Sequence, residues 1–182
     1  SFRQSAVSAA YTTEAAVMST AMQRIGLLYW PCTRPLTLAL AEEAMQQACR
    51  LHAAAGYELV YLRADSLQGN SWQLPGVSWQ GVLEACQRLF LIADKPQQHA
   101  SPALGLALKQ LLRSGCVIGG ISAGVYPLAY LGLLDGYRAA VHWRWHDDFT
   151  ERFPKVITTS HLFDWDRERL TSSGGPAVRD ML

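Results

Sequence analysis

Apolar residues along the chain fall into short unbroken runs, separated by stretches with helical spacing. Arg24-Ile25-Gly26-Leu27-Leu28-Tyr29-Trp30, Tyr57-Glu58-Leu59-Val60-Tyr61-Leu62, Leu89-Phe90-Leu91-Ile92-Ala93 and Cys116-Val117-Ile118-Gly119-Gly120-Ile121 are runs of strand length. Such runs, apolar on both faces, belong to a sheet covered on both sides. Between them, Leu36, Leu40, Ala44, Ala48 and Leu51 define one side of a helix over 36–55 that stops at Gly56. Ser101-Pro102 opens a second helix to about Ser114, with Gly115 just past its end. Ser78 is placed to cap a short helix through Cys86, and Asp65 to Gly76 reads as a loop. The fourth run leads through glycines into an apolar helix ended by Gly132 to Gly136. Arg138 to Trp143 reads as a strand and Asp147 to Phe153 as a short helix stopped by Pro154. Val156 to Thr159, Leu162 to Trp165 and Arg169-Leu170-Thr171 are further strands, with a charged hairpin turn at Asp166–Arg169 and a last helix starting near Pro176. Residues 1–23, rich in Ser, Ala, Thr and Gln without a firm period, are expected to be a mobile leader, leaving one domain over 24–182. Strands alternating with helices predict an α/β fold with a mostly parallel central sheet and helices on both faces. Ligands in such sheets sit beyond the carboxyl ends of the strands. That gathers Trp30–Arg34, Ala93–Pro96 and Ile121–Gly124 around one crevice.

Composition narrows the classes. The 182 residues are long enough for one domain with a sizeable core, and 49% apolar with 17% charged residues is a globular balance. A net charge of +1 with no basic block argues against nucleic-acid binding by this segment itself. No apolar run approaches the roughly 20 residues of a membrane span, and no signal-peptide pattern opens the chain. Cys32, Cys49, Cys86 and Cys116 are widely spaced in mostly apolar surroundings, so they read as reduced thiols of a cytoplasmic protein, with neither a metal site nor a cofactor expected.

The candidate chemistry centres on Gly120-Ile121-Ser122-Ala123-Gly124, which fits the nucleophile-elbow pattern G-x-S-x-G between a strand and a helix. Small neighbours suit a strained turn with close backbone approach. The backbone N–H of Ala123, at the start of the helix, is expected to stand free for an anion or a polarised carbonyl.

Downstream, Gly132-Leu133-Leu134-Asp135-Gly136, Ala140-Val141-His142-Trp143, Phe153-Pro154, Leu162-Phe163 and the stretch Asp166 to Gly175 follow Ser122 in a characteristic order and spacing. Together these motifs resemble the class I glutamine-amidotransferase-like, PfpI-related domain of AraC-family transcriptional regulators, over about residues 24–182 and most strongly from 115 onward. The resemblance implies a flavodoxin-like three-layer sandwich, usually dimeric, that senses a small molecule and is normally followed by a helix-turn-helix DNA-binding domain. DNA contact would then lie in a C-terminal domain absent from this chain.

Enzymes of the wider superfamily use an elbow cysteine, a histidine and an acidic residue near the start of the first helix. By position these fall on Ser122, His142 and Thr37, so two of three roles are changed. A serine hydroxyl, unlike a cysteine thiol, needs a well-oriented base to become a nucleophile. Where the family tends to have Gly-Gly after the third strand, Asp94-Lys95 stand here. The favoured reading is a non-catalytic sensor: Ser122 and His142 hydrogen-bond a polar metabolite lying against Ala123, with Thr37 nearby and Asp94 either pairing with a ligand amine or ending its strand. Trp30, Trp143 and Trp145 near predicted strand ends suit an amino-acid-like or methylated-amine ligand, since aromatic faces hold cations, although core packing is the commoner fate of a tryptophan. The alternative is a serine hydrolase or peptidase using Ser122 with His142 or His161 and one of Asp147, Asp148 or Asp164. A third reading leaves Ser122 as a helix cap and His142 as a core residue. Met45 and Cys49 are expected in the core, His52 and His99 on the surface.

Overall fold

A computed structural model describes residues 22–51, 56–64, 74–97 and 101–174. The expectations for the leader, His52, His99, most of the 65–76 loop and the helix after Pro176 lie outside the described residues, as does the side chain of Cys49. The first elements are β1 (Gln23–Tyr29), α1 (Pro35–Leu51), β2 (Tyr57–Arg63), β3 (Val77–Ser78), β4 (Arg88–Ala93) and α2 (Pro102–Arg113). They are followed by β5 (Val117–Ser122), α3 (Val125–Tyr130), β6 (Arg138–Ala140), α4 (His146–Arg152), β7 (Ile157–Thr159), β8 (Phe163–Asp166) and β9 (Arg169–Ser172).

Seven strands form one sheet in the order β3-β2-β1-β4-β5-β9-β8, parallel except for the β8–β9 hairpin. This is the mostly parallel sheet the sequence predicts. Alternation along each strand divides the core in two. Ile25, Leu27, Tyr29, Phe90, Ile92, Ile121 and Leu170 face α1 and its Leu38, Ala41, Ala44 and Met45. Leu28, Leu89, Leu91 and Ile118 face the other way, into a layer built from α2, α3 and α4. Helices therefore cover both faces.

Beside this sheet stand β6 and β7, a parallel pair of their own. Its attachment is unusual: side chains of the β8–β9 hairpin take the place of a neighbouring strand's carbonyls. The backbone N–H of Arg138 donates to Asp166 Oδ2 at 2.9 Å, and that of Ala140 donates to Thr171 Oγ1, also at 2.9 Å. The hydroxyl of Thr159 donates to Asp164. β6 meets Asp166 and then Thr171, and Asp166 is paired with Arg169, so β6 runs in the same sense as β9 and β5.

Three local expectations need correction. In α1 the inward face is Leu38, Ala41, Ala44 and Met45, while Leu36 is 66% exposed. Glu42, Glu43, Gln46 and Gln47 mark the polar side of this helix, and Leu36 falls on it, seven residues before Glu43 and eleven before Gln47, so the spacing to Leu40 and Ala44 alone places it wrongly. Ser78 does not cap a helix: Val77–Ser78 pair with β2, and only a 3-10 turn, Leu83–Ala85, precedes Cys86. Finally, β6 ends at Ala140 instead of reaching Trp143, because the His142 imidazole accepts the Arg144 N–H and turns the chain into a 3-10 turn, Trp143–Trp145.

Candidate functional site

Ser122 ends β5 with φ at 56°, the left-handed region that a residue with a Cβ rarely enters. The strain has a local cause. Between β5 and α3 the chain reverses within Ala123 and Gly124, and the Gly124 N–H closes the turn on the Ile121 carbonyl at 3.0 Å. A Cβ at Gly124 would lie 2.5 Å from the Leu91 carbonyl carbon, so the turn is open only to glycine. On the far side the Gly174 backbone presses against Ser122, since a Cβ there would come within 2.7 Å of the serine Cβ. The elbow geometry read from G-x-S-x-G is present, and the Ser122 hydroxyl makes no hydrogen bond among the described residues.

The expected donor beside it is not free. The Ala123 N–H donates to the Ala93 carbonyl at 2.9 Å, fastening the elbow to the end of β4, and Ala123 is fully buried. An oxyanion-type pocket at this N–H is therefore ruled out by the strand packing that makes the elbow.

His142 shares the edge with Ser122. Thr171 stands between them: it pairs with Gly120 on β5 and takes the N–H of Ala140 at the end of β6, and from each of these the chain runs two residues further to reach Ser122 and His142. The imidazole Nδ1 accepts the Arg144 N–H at 3.1 Å. Accepting there assigns the neutral tautomer with its proton on Nε2. Burial, and secondarily the Arg144 charge, hold the imidazole pKa below its ordinary value. His142 thus offers an N–H donor at Nε2. It has no Nε2 lone pair with which to take a proton from Ser122.

The loops after β1 and β4 meet as expected, but their polar groups are spent on one another. Asp94, with a side chain 10% exposed, accepts the Arg34 N–H at 2.6 Å, the Thr37 hydroxyl at 2.8 Å and the Arg34 guanidinium at 3.1 Å. Thr33 adds a bond from its hydroxyl to the Ile92 carbonyl at 2.9 Å. Asp94 is thereby the anchor of α1, and of the two roles left open for it the structural one is occupied; Thr37 is its partner. Trp30 is buried in the core among Leu28, Leu91 and Ala93. Trp143 is 80% exposed with its ring 5.4 Å from that of His142, and Trp145 is half-buried with the Arg144 guanidinium 5.4 Å over its ring. The tryptophans do not converge on one cage.

Of the acids considered for a triad, Asp147 is exposed beside His146, and Asp148 binds the Tyr126 hydroxyl at 2.7 Å and Arg152 at 2.8 Å on α4. Asp164 is different. It is 5% exposed, takes the Thr159 hydroxyl, and lies 3.2 Å from His161 Nδ1. Its strand reads Phe-Asp-Trp-Asp with the aromatics outward, an inverted alternation that marks an inward acid in sequence. Gly174 is a residue that sequence reasoning did not place at this edge, whereas Arg34 stands in the loop after β1 that it did. Among the described residues no group of three or more His, Cys, Asp or Glu could hold a metal ion, and no helix is long and apolar enough to cross a membrane.

No family model matches the chain. It is 64% identical over 166 residues to the HTH-type transcriptional regulator ArgR of Pseudomonas aeruginosa, covering 91% of this chain and 50% of that protein. The chain spans about half the length of the curated relatives it matches, all of them HTH-type regulators. Among solved structures, an AraC family transcriptional regulator from Pseudomonas putida superposes with a TM-score of 0.74 at 20% identity, covering 87% of this chain and 88% of that one. A ThiJ/PfpI domain protein from Brachyspira murdochii superposes with a TM-score of 0.66 at 13% identity, covering 88% and 93%.

Proposed function

We propose that the chain, similar to HTH-type regulators and alike in fold to AraC-family and ThiJ/PfpI structures, is a PfpI-related, glutamine-amidotransferase-like domain of an AraC-family transcriptional regulator, and that it senses a small polar metabolite and does not transform one. The observation that carries this reading is the His142 tautomer. With Nδ1 engaged by Arg144, the imidazole donates at the edge where Ser122 presents an unbonded hydroxyl. A donor and a hydroxyl recognise a carboxylate or carbonyl oxygen; they do not make a charge relay, which needs a base lone pair directed at the serine. The ligand class is an amino-acid-like or methylated-amine metabolite, bound in a cytoplasmic homodimer. Its binding biases the dimer or the docking of a DNA-binding part outside this span, which is how affinity becomes regulation.

The test is a thermal-shift screen of the chain against amino acids, betaines and related amines, with Ser122→Ala and His142→Ala alongside. A ligand should raise Tm in proportion to the logarithm of its concentration above Kd, and both variants should lose the shift. Turnover of an ester or peptide that vanishes in Ser122→Ala would replace the sensor with the hydrolase. A full screen without a shift would overturn the sensor reading.

A further inference from the structure

We propose that Asp164 is the anchor for a hydrogen-bonding organic cation, an ammonium or guanidinium group of the effector, and that His161 covers this anchor until the cation displaces it. The inference rests on the sensor reading and adds to it a binding residue and a ligand charge.

A carboxylate withdrawn from water is costly unless a cation or several donors compensate it. Asp94, similarly shielded, has the Arg34 guanidinium, the Arg34 N–H and the Thr37 hydroxyl. Asp164 is 5% exposed and has neither Lys nor Arg among the described residues: one hydroxyl from Thr159 and one ring nitrogen from His161 are its partners. A carboxylate offers about four lone-pair directions, so half its accepting capacity is open.

The cover is built to move. His161 is 64% exposed and sits in the three-residue link 160–162 between β7 and β8. Its backbone is held by a long bond of 3.4 Å from its N–H to Thr159 Oγ1. Thr159, by contrast, is fixed in β7 and would stay to orient the carboxylate.

The position is also right. Asp164 pairs with Thr171, which pairs with Gly120 two residues before Ser122. One step further along, the Ser173 N–H donates to the Leu162 carbonyl at 2.9 Å, and Gly174 lies against Ser122. His161 follows Thr159 by two residues as His142 follows its partner Ala140, so both histidines leave the small sheet at the same end. A ligand with an oxygen at Ser122 and His142 and a cation at Asp164 spans one edge of the fold.

The chemistry favours a cation that carries N–H groups over a quaternary ammonium. A carboxylate binds the former through directed, charge-assisted bonds. The latter wants aromatic faces, and here Trp30 is in the core, Trp145 is occupied by Arg144, and Trp143 stands apart from the other two.

The experiment is calorimetric titration of the 182-residue chain with a fixed panel: arginine, lysine and putrescine, then their neutral counterparts citrulline and norleucine, then glycine betaine and glutamate. An N–H cation should bind, and Asp164→Asn should weaken it about ten- to hundredfold, the worth of charge-assisted bonds. His161→Ala should leave binding unchanged or tighter. In the wild type the His161 ring protons should shift on saturation, a readout that survives if Asp164→Asn does not fold. Binding confined to the neutral, anionic or quaternary members, binding indifferent to Asp164→Asn, or an unmoved His161 resonance would overturn the proposal while leaving the sensor reading intact. Absence of binding by every panel member would overturn this proposal, and the wider screen described above then decides the sensor separately.

Discussion

Removing the Asp94 carboxylate tests whether it anchors α1. In Asp94→Ala three donors lose their acceptor at once. The Arg34 N–H at the start of α1 forfeits a bond equivalent to a helix cap, about 1 kcal/mol. The Thr37 hydroxyl, 7% exposed, is left buried without its partner, about 1–2 kcal/mol. The guanidinium contributes well under 1 kcal/mol, because its side chain is 73% exposed and water screens the pair. The expected loss is about 2–3 kcal/mol, or a Tm lower by roughly 5–10 °C for a chain of this size. Urea denaturation of wild type, Asp94→Ala, Thr37→Val and the double variant measures it. Because Thr37→Val removes the orphaned hydroxyl, the double variant should be more stable than additivity predicts, by about 1 kcal/mol. Arg34→Ala should cost little. Destabilisation by Asp94→Ala of less than about 0.5 kcal/mol, the ordinary range of a surface substitution, would refute the anchoring role.

Other consequences are open to measurement. Gly124→Ala should abolish soluble expression or cost about 3 kcal/mol or more, since its Cβ would meet the backbone of Leu91 and Ile121 with nothing soft to yield; a normal melting curve would sink this account of the elbow. Because the folded pKa of His142 is lowered, stability is fully present above the unfolded value of about 6.5 and declines as pH falls through it. Its ring protons should titrate below that value by NMR, and His142→Gln should flatten the acid side of the stability curve. Burial pushes the Cys86 thiol up to about 11 and the Cys116 thiol up to about 12, so at pH 8 a thiol reagent mapped by peptide mass should label Cys32 well before either. Tyr126→Phe should cost about 1 kcal/mol, the bond to Asp148, while the T-shaped packing on Phe149 and Phe153 is kept.

What was legible in the sequence follows from how local each signal is. The apolar strands and the Ser101-Pro102 helix start declare themselves through a few consecutive residues, and they stand where expected. Ser122 was legible for the same reason, as five residues compel the elbow. The fate of Ala123, Asp94 and Trp30 was not, because each depends on a partner in another strand: the Ala93 carbonyl, the Arg34–Thr37 donors, the Leu28–Leu91 core. A free N–H and a bonded one look identical in sequence. The exposure of Leu36 was legible too, because its side of the helix also carries Glu43, Gln47 and Arg50, seven, eleven and fourteen residues on. Motif reading leaves Asp164 only as one of three possible triad acids; the alternation Phe-Asp-Trp-Asp, with its aromatics outward, singles it out as the inward one.

The manner in which β6 and β7 are joined to the main sheet has a mechanical consequence. Strands in a ladder share many backbone bonds in register, so one cannot slide without breaking them together. Here each described bond across the seam has a side chain at one end: Asp164, Asp166 and Thr171 accept, and the Arg138 and Arg167 guanidinium groups donate to the Trp165 and Gly136 carbonyls, so each can swing about its χ angles and keep its partner. The seam is a flexure, stiff in pairing but compliant in translation. His142 and His161 ride on one side of it and Ser122 on the other, so a molecule bridging that edge draws two plates together, and α4, which continues directly from the His142 turn, is the lever carried along.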